Sequence, residues 1–149
     1  MEEYESDKQR ISDYADTHPE ALAGWWIEHH GPPPMDPWRT PYPPSAFVIA
    51  FTSDIESHAE ALRSLLFAPE KLQVIQMRYS YRHLMEVRDS IPPALGPANE
   101  GLATWGPDTK GNFVRVTALP EYFEEIRHIL MATNPDDVRV EVGQRPVPA

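Results

Sequence analysis

Phe47-Val48-Ile49-Ala50-Phe51-Thr52 is a short, continuously apolar run rich in aromatic and β-branched residues, and it reads as a buried strand. What surrounds it decides the fold, because the run comes back. Phe47-Val48-Ile49-Ala50 is matched 66 residues later by Phe113-Val114-Arg115-Val116. Leu62-Arg63-Ser64-Leu65-Leu66 is matched 64 residues later by Ile126-Arg127-His128-Ile129-Leu130, and Leu72-Gln73-Val74 after 66 by Val138-Arg139-Val140. Trp26 is matched by Trp105 after 79, so one insertion of 13 residues, placed between Trp26 and Phe47, reconciles the spacings. A period above about 50 residues indicates duplicated subdomains rather than a solenoid.

Outward from these anchors, turn and breaker residues divide the chain. A helix is expected within Tyr4–Asp16, with Tyr4, Ile11, Tyr14 and Ala15 on one face, closed by His18-Pro19. A strand follows around Gly24–His29. The segment Gly31–Ser45 holds seven prolines, which excludes helix and central strand. After Phe47–Thr52, Ser53 and Glu56 form a capping-box pair. They open a helix whose apolar face is Ile55, Ala59, Leu62, Leu65 and Leu66. Leu72–Arg78 reads as a strand. Ser80 caps a helix with Tyr81, Leu84, Val87 and Ile91 on one side, ended by Pro92-Pro93. Leu102–Gly106 and Phe113–Val116 read as a hairpin with its turn at Pro107–Asn112. A helix begun by Pro120 carries Leu119, Phe123, Ile126, Ile129 and Leu130, and Val138–Val142 is a last strand. The expected class is α+β. Two αββαβ subdomains follow, each a small three-stranded sheet with helices on one face. The organisation is an acidic helical segment over 1–20, a first ββαβ body over 21–78 with a proline-rich loop at 31–45, a second αββαβ body over 79–142, and a tail over 143–149.

Composition narrows the chemistry. Of 149 residues, 23 are acidic and 13 are Lys or Arg, a net charge of −10, and the basic residues are scattered. That argues against nucleic acid and anionic membrane surfaces, both of which need basic clusters. Residues 1–20 carry seven acids against two bases and read as a solvated, partly frayed segment. There is no cysteine, so disulfides and thiol catalysis are excluded. No run reaches the ~18 apolar residues that would suggest a membrane span. Acids follow Met1 where a signal peptide needs basic and apolar residues.

With the repeat in hand, the chain resembles the pro-region of the α-lytic protease and streptogrisin group of bacterial secreted serine proteases. The residues that carry the resemblance are Ala23-Gly24-Trp25-Trp26-Ile27-Glu28, Phe47–Thr52, Val74-Ile75-Gln76-Met77-Arg78-Tyr79-Ser80 leading to Leu84, and Trp105-Gly106-Pro107-Asp108 with Asn112, Val114 and Val116. It covers the chain from about Ile11 to Val142. The resemblance implies a two-part α+β folding chaperone and inhibitor of a serine protease, acting outside the cytoplasm. Its C-terminal sheet would pack on the protease and its tail would lie in the active-site cleft. In this sequence those elements are Val138–Val142 and Gly143–Ala149. The proline-rich insertion departs from the short hairpin of that family.

Enzyme motifs are missing: no nucleophile elbow, P-loop, zinc-protease helix motif or dinucleotide fingerprint occurs. The six histidines read as surface residues; His29 and His30 are adjacent and would point to opposite faces of a strand. The chain is therefore read as non-enzymatic, without cofactor or metal, and with a protein partner. Trp26 and Trp105 are expected in equivalent core sites. The loop residues Trp38, Arg39 and Tyr42 are candidate partner contacts, since aromatics and arginine dominate interface hot spots; alternatively the loop folds back so that Trp38 covers Trp25. On the C-terminal side the candidates are Val138, Val140, Val142, Gln144, Arg145 and Pro146. An extended tail after an open strand can add main-chain hydrogen bonds to a partner. The rival reading is a structural or assembly subunit that self-associates through the duplicated scaffold.

Overall fold

A computed structural model describes residues 2–36, 38–40, 42 and 44–144, and the side chains from residue 5 onward; Tyr4 therefore contributes no side-chain finding. The chain divides into two compact units, residues 1–80 and 81–149. The first runs α1 (Glu2–Asp16), β1 (Leu22–Glu28), β2 (Ala46–Phe51), α2 (Ile55–Leu65), β3 (Leu72–Gln76). The second runs α3 (Tyr81–Leu95), β4 (Leu102–Asp108), β5 (Phe113–Ala118), α4 (Phe123–Thr133), β6 (Val138–Val142). Each is an α+β body with one three-stranded mixed sheet, ordered β1-β2-β3 or β4-β5-β6. The first two strands of each sheet are antiparallel and the last pair is parallel. The architecture is a duplicated αββαβ.

The duplication extends to the register. In the first hairpin Leu22 pairs with Phe51 and Gly24 with Ala50, leaving Ala23 as a β-bulge. In the second, Leu102 pairs with Ala118 and Thr104 with Thr117, leaving Ala103 bulged at the same rung. The parallel pairs start at Phe47 with Leu72 and at Val114 with Val138. These pairings make β1 equivalent to β4 at a spacing of 80, β2 to β5 at 67, and β3 to β6 at 66. The sequence match of Phe47 to Phe113 is therefore one residue out of step: Phe47, Ile49 and Phe51 correspond to Val114, Val116 and Ala118. A one-residue slip in a strand exchanges its faces, so this correction decides which side chains are core. By the same register Trp105 corresponds to Trp25 and not to Trp26. Trp105 is 40% exposed rather than core.

Helices pack on one face of each sheet. In the first unit Ile11 and Ala15 of α1, Leu62 of α2 and Leu66 just beyond it join Phe47, Ile49, Phe51 and Leu72 in one cluster, with Trp25, Ile27 and Val74 at its margin. Burying such a side chain stabilises by about 1.5–3 kcal/mol. In the acidic segment Glu5, Asp13, Asp16 and Glu20 are exposed, as expected of a solvated stretch, but Asp7 is not. Asp7 is buried on α1, and its two carboxylate oxygens accept the N–H groups of Phe67 (2.8 Å) and Ala68 (3.0 Å). In the second unit Leu84, Val87, Ile91 and Leu95 of α3, and Ile126 and Leu130 of α4, are buried, as are Val114, Val116, Ala118 and Val138. The buried stripe Asp7, Ile11, Ala15 thus precedes Val87, Ile91, Leu95 by the same 80 residues as β1 precedes β4.

Three local expectations change. The Ser53–Glu56 box is not the cap of α2: Asp54 takes that position in the left-handed region (φ 55°, ψ 41°), its side chain making no capping bond. The helix therefore starts one residue late for Glu56 to reach back. Leu65 and Tyr81 face solvent, and His58 joins the buried side of α2. Pro92 and Pro93 sit inside the last turn of α3, which continues to Leu95. Lacking N–H groups, they cannot close that turn onto the carbonyls of Arg88 and Asp89. Burial of Ile91 and Leu95 on either side of them holds the turn in place.

Candidate functional site

The two hairpins differ in their connections. Seventeen residues separate Glu28 from Ala46, against four between Asp108 and Phe113, a difference of thirteen. The longer connection is fastened at three levels. At its neck the Ser45 N–H donates to the Glu28 carbonyl (2.8 Å), the His30 N–H to Ser45 Oγ (2.8 Å), and Lys71 Nζ to the Pro44 carbonyl (2.9 Å). Midway, the Tyr42 hydroxyl donates to the Gly31 carbonyl (2.7 Å) and its ring stacks on His29 at 4.1 Å. At the tip the N–H groups of Arg39 and Thr40 both donate to the Asp36 carbonyl (2.9 Å each). The Thr40 hydroxyl donates to Asp36 Oδ1 (2.6 Å). Tyr42 is thus a staple of the loop. Trp38 does not cover Trp25: it is 78% exposed, and Met35, which sequence reasoning passed over, is 99% exposed. Arg39 is exposed beside them.

The C-terminal candidates lie on β6, an edge strand. Val138 is buried in the core of its own unit, Val140 is half-buried, and Val142 is 56% exposed. Of the three, Val142 is the one accessible to a partner. Beyond it the Gly143 N–H donates to the Ala118 carbonyl (2.8 Å). A Cβ on Gly143 would lie 2.6 Å from that of Thr117, so only glycine lets the chain leave the strand this closely. Gln144 is exposed, while Arg145 and Pro146 lie outside the described residues.

The face of the second sheet turned away from its helices is polar. Arg115 on β5 donates to Asp108 on β4 (2.7 Å) and to Glu141 on β6 (2.6 Å), tying three strands together. Arg115 and Arg139 lie over the Phe113 ring at 5.1 and 4.1 Å. The hydrogen bond from Arg115, and next that from the Gly111 N–H, hold the Asp108 carboxyl below the ordinary carboxylate range. At the other edge, Trp105, Thr104, Arg88, Asp89 and Pro92 line an open hollow of about 480 Å³. Sequence reasoning missed this place because its tryptophan was assigned to the core. The available signal was the pair Pro92-Pro93, which leaves the end of α3 unable to complete its hydrogen bonding beside β4.

Among the described residues no group of three or more His, Asp or Glu side chains could hold a metal ion, and no helix is long and apolar enough to cross a membrane. No protein-family model matches the chain, and a search of curated proteins finds no match. The surfaces themselves carry the functional reading.

Proposed function

We propose that this chain is a non-enzymatic protein-binding module of the protease pro-region type, acting in trans on a serine protease as a folding chaperone or an inhibitor. The observation that carries the reading is the open end of the second sheet. The edge strand β6 has an exposed terminal Val142 and runs directly into Gly143 and Gln144. An edge strand offers unpaired main-chain groups, and a partner strand or cleft can take them up by β-augmentation. The duplicated αββαβ body agrees with the two-part scaffold that the resemblance implies. Pro146 and Pro148 lower the entropy lost on holding the tail extended, and proline after Arg145 disfavours cleavage there by a trypsin-like enzyme.

Two assays test this. Denatured mature domains of secreted bacterial serine proteases are refolded with and without the chain, and the active proteases are titrated with it. The expected result is a gain in refolding yield or a loss of activity, reduced on deleting residues 143–149. No effect in either assay overturns the reading. An effect that survives the deletion keeps the partner and removes the tail. A second reading, self-association, is favoured by Trp105 standing exposed on the edge strand β4. It predicts a solution mass that rises with concentration and falls back to the monomer on Trp105→Ser.

A further inference from the structure

We infer that the loop at 31–45 is a second recognition element, whose tip inserts a large apolar side chain into the specificity pocket of a chymotrypsin-like rather than a trypsin-like protease. This rests on the serine-protease reading above and names the partner's specificity.

The tip combines two properties that seldom occur together. It is apolar and exposed: Met35 and Trp38 are 99% and 78% accessible. It is also held in place, by the Asp36 turn, the Tyr42 staple and the Ser45 neck. An exposed indole on a mobile loop would lose backbone and side-chain entropy on docking; on a stapled loop the backbone share is reduced in advance. Trp and Met are enriched at interface centres, and Trp is the commonest kind of hot spot. An uncharged indole or thioether suits a hydrophobic specificity slot. A trypsin-like pocket, with its buried carboxylate, would require a cation. Arg39 is also exposed at the tip, so the comparison of a chymotrypsin-like with a trypsin-like enzyme separates an apolar from a cationic contact. An anionic lipid surface is a poorer partner for a chain of net charge −10.

The tip is built to dock without being cut. The Asp36 carbonyl accepts both Arg39 and Thr40 N–H groups, so the chain around the Trp38–Arg39 bond is wound into a turn. Strand-like addition of a bound segment to a protease cleft needs those N–H groups and carbonyls extended and available. Trp38 can fill the pocket while its own peptide bond stays out of line.

The test uses the whole chain against one chymotrypsin-like and one trypsin-like serine protease. Wild type is expected to inhibit the first far better than the second. Trp38→Ser should weaken inhibition roughly 30-fold or more, and Met35→Ser less. Both sites are exposed, so circular dichroism should be unchanged. Asp36→Ala keeps the main-chain bonds of the turn and removes only the side-chain bond from the Thr40 hydroxyl; the loosened turn should make the chain a slow substrate, cut between Trp38 and Arg39 and detected by mass spectrometry. Undiminished inhibition by Trp38→Ser overturns the inference and leaves the protease reading standing. So does inhibition confined to the trypsin-like enzyme and lost with residues 143–149. An Asp36→Ala variant that stays intact overturns the share of that protection assigned to the Asp36 side chain. No effect of wild type on any protease, in refolding or activity, overturns inference and reading together. Trp38-dependent binding to phosphatidylcholine vesicles alongside that result assigns the tip to a membrane instead.

Discussion

Where the second half has Val87, the first has Asp7; where it has Ile126, the first has His58; and where it has Ala94 and Ala98, the first has Tyr14 and His18. Val87, Ile126 and Ala98 are thus buried hydrocarbon where the first half holds polar side chains, while Ala94 is exposed. The polar set is tied together. Asp7 accepts two N–H groups, Tyr14 hydrogen-bonds His58 Nδ1 (2.8 Å), and the His58 ring stacks on Phe51 at 3.8 Å with His18 5.1 Å away. Away from the helices the contrast reverses. Val48, Ala50 and Ile75 of the first sheet correspond to Arg115, Thr117 and Glu141 of the second. The scaffold demands apolar residues on the helix side of its central strand. Elsewhere it accepts either chemistry, provided each buried polar group finds a partner.

The strongest challenge to this equivalence is at the shared core. Leu62 and Leu130 are both fully buried, at corresponding positions of α2 and α4. Alanine at either should cost about 2–5 kcal/mol in urea unfolding. A neutral result at one and a large loss at the other would break the pairing. Asp7→Ala comes next: it leaves the Phe67 and Ala68 N–H groups without their acceptors and should cost about 1–3 kcal/mol, read from the first half's unfolding midpoint. An unchanged midpoint would mean that the carboxylate contributes no more than Val87 does.

A smaller effect separates the halves by pH. Burial, and then the neighbouring His18, lower the His58 pKa from its ordinary value, against a raising influence of Asp54. Unfolded, His58 takes its proton near pH ~6.5, so on acidification the unfolded state binds it first. The stability contributed by neutral His58 is therefore full above that pH and is lost as pH falls through the folded pKa. Protection factors in α1 and β2, taken relative to the intrinsic exchange rate at each pH, should fall on acidification through and below about pH 6.5, and His58→Ile, which copies the second half, should flatten that response. A wild-type response unaltered by the substitution would place the sensitivity elsewhere. The least change in stability is expected from Arg115→Met on the polar face. The unfolding midpoint should barely move, while the Asp108 carboxyl titration, followed by NMR, shifts up toward the ordinary range. A fixed titration would show that the Gly111 N–H alone holds it down.

The element order and the thirteen-residue insertion were legible in the sequence, because breakers and apolar periodicity report them directly. Register was less so. Phe47 invites a match with Phe113 by identity, yet a strand repeats every two residues and a slip of one exchanges its faces. The corresponding error on the helices, Leu66 for Leu62 as the partner of Leu130, is four residues and stays on one face. It did less harm for that reason. Trp105 misled because the repeat was read as pairing it with Trp26, and Pro92, which lines the hollow beside it, is distant in sequence. The loop's prolines excluded helix and central strand, but its fastening depends on Asp36, Tyr42 and Ser45 finding particular partners. No periodicity encodes those bonds.

The extra residues Ala23 and Ala103 keep the faces of each hairpin in phase. A bulge is a one-residue insertion, and moving it along a strand turns over the side chains between the old place and the new. Both hairpins have theirs at the same rung. A further residue inserted within β1 or β4 would therefore turn helix-side residues outward, whereas the connection beyond Glu28 takes up thirteen more residues than its counterpart without displacing one rung of the ladder. Length is free at the end of each hairpin and fixed along it.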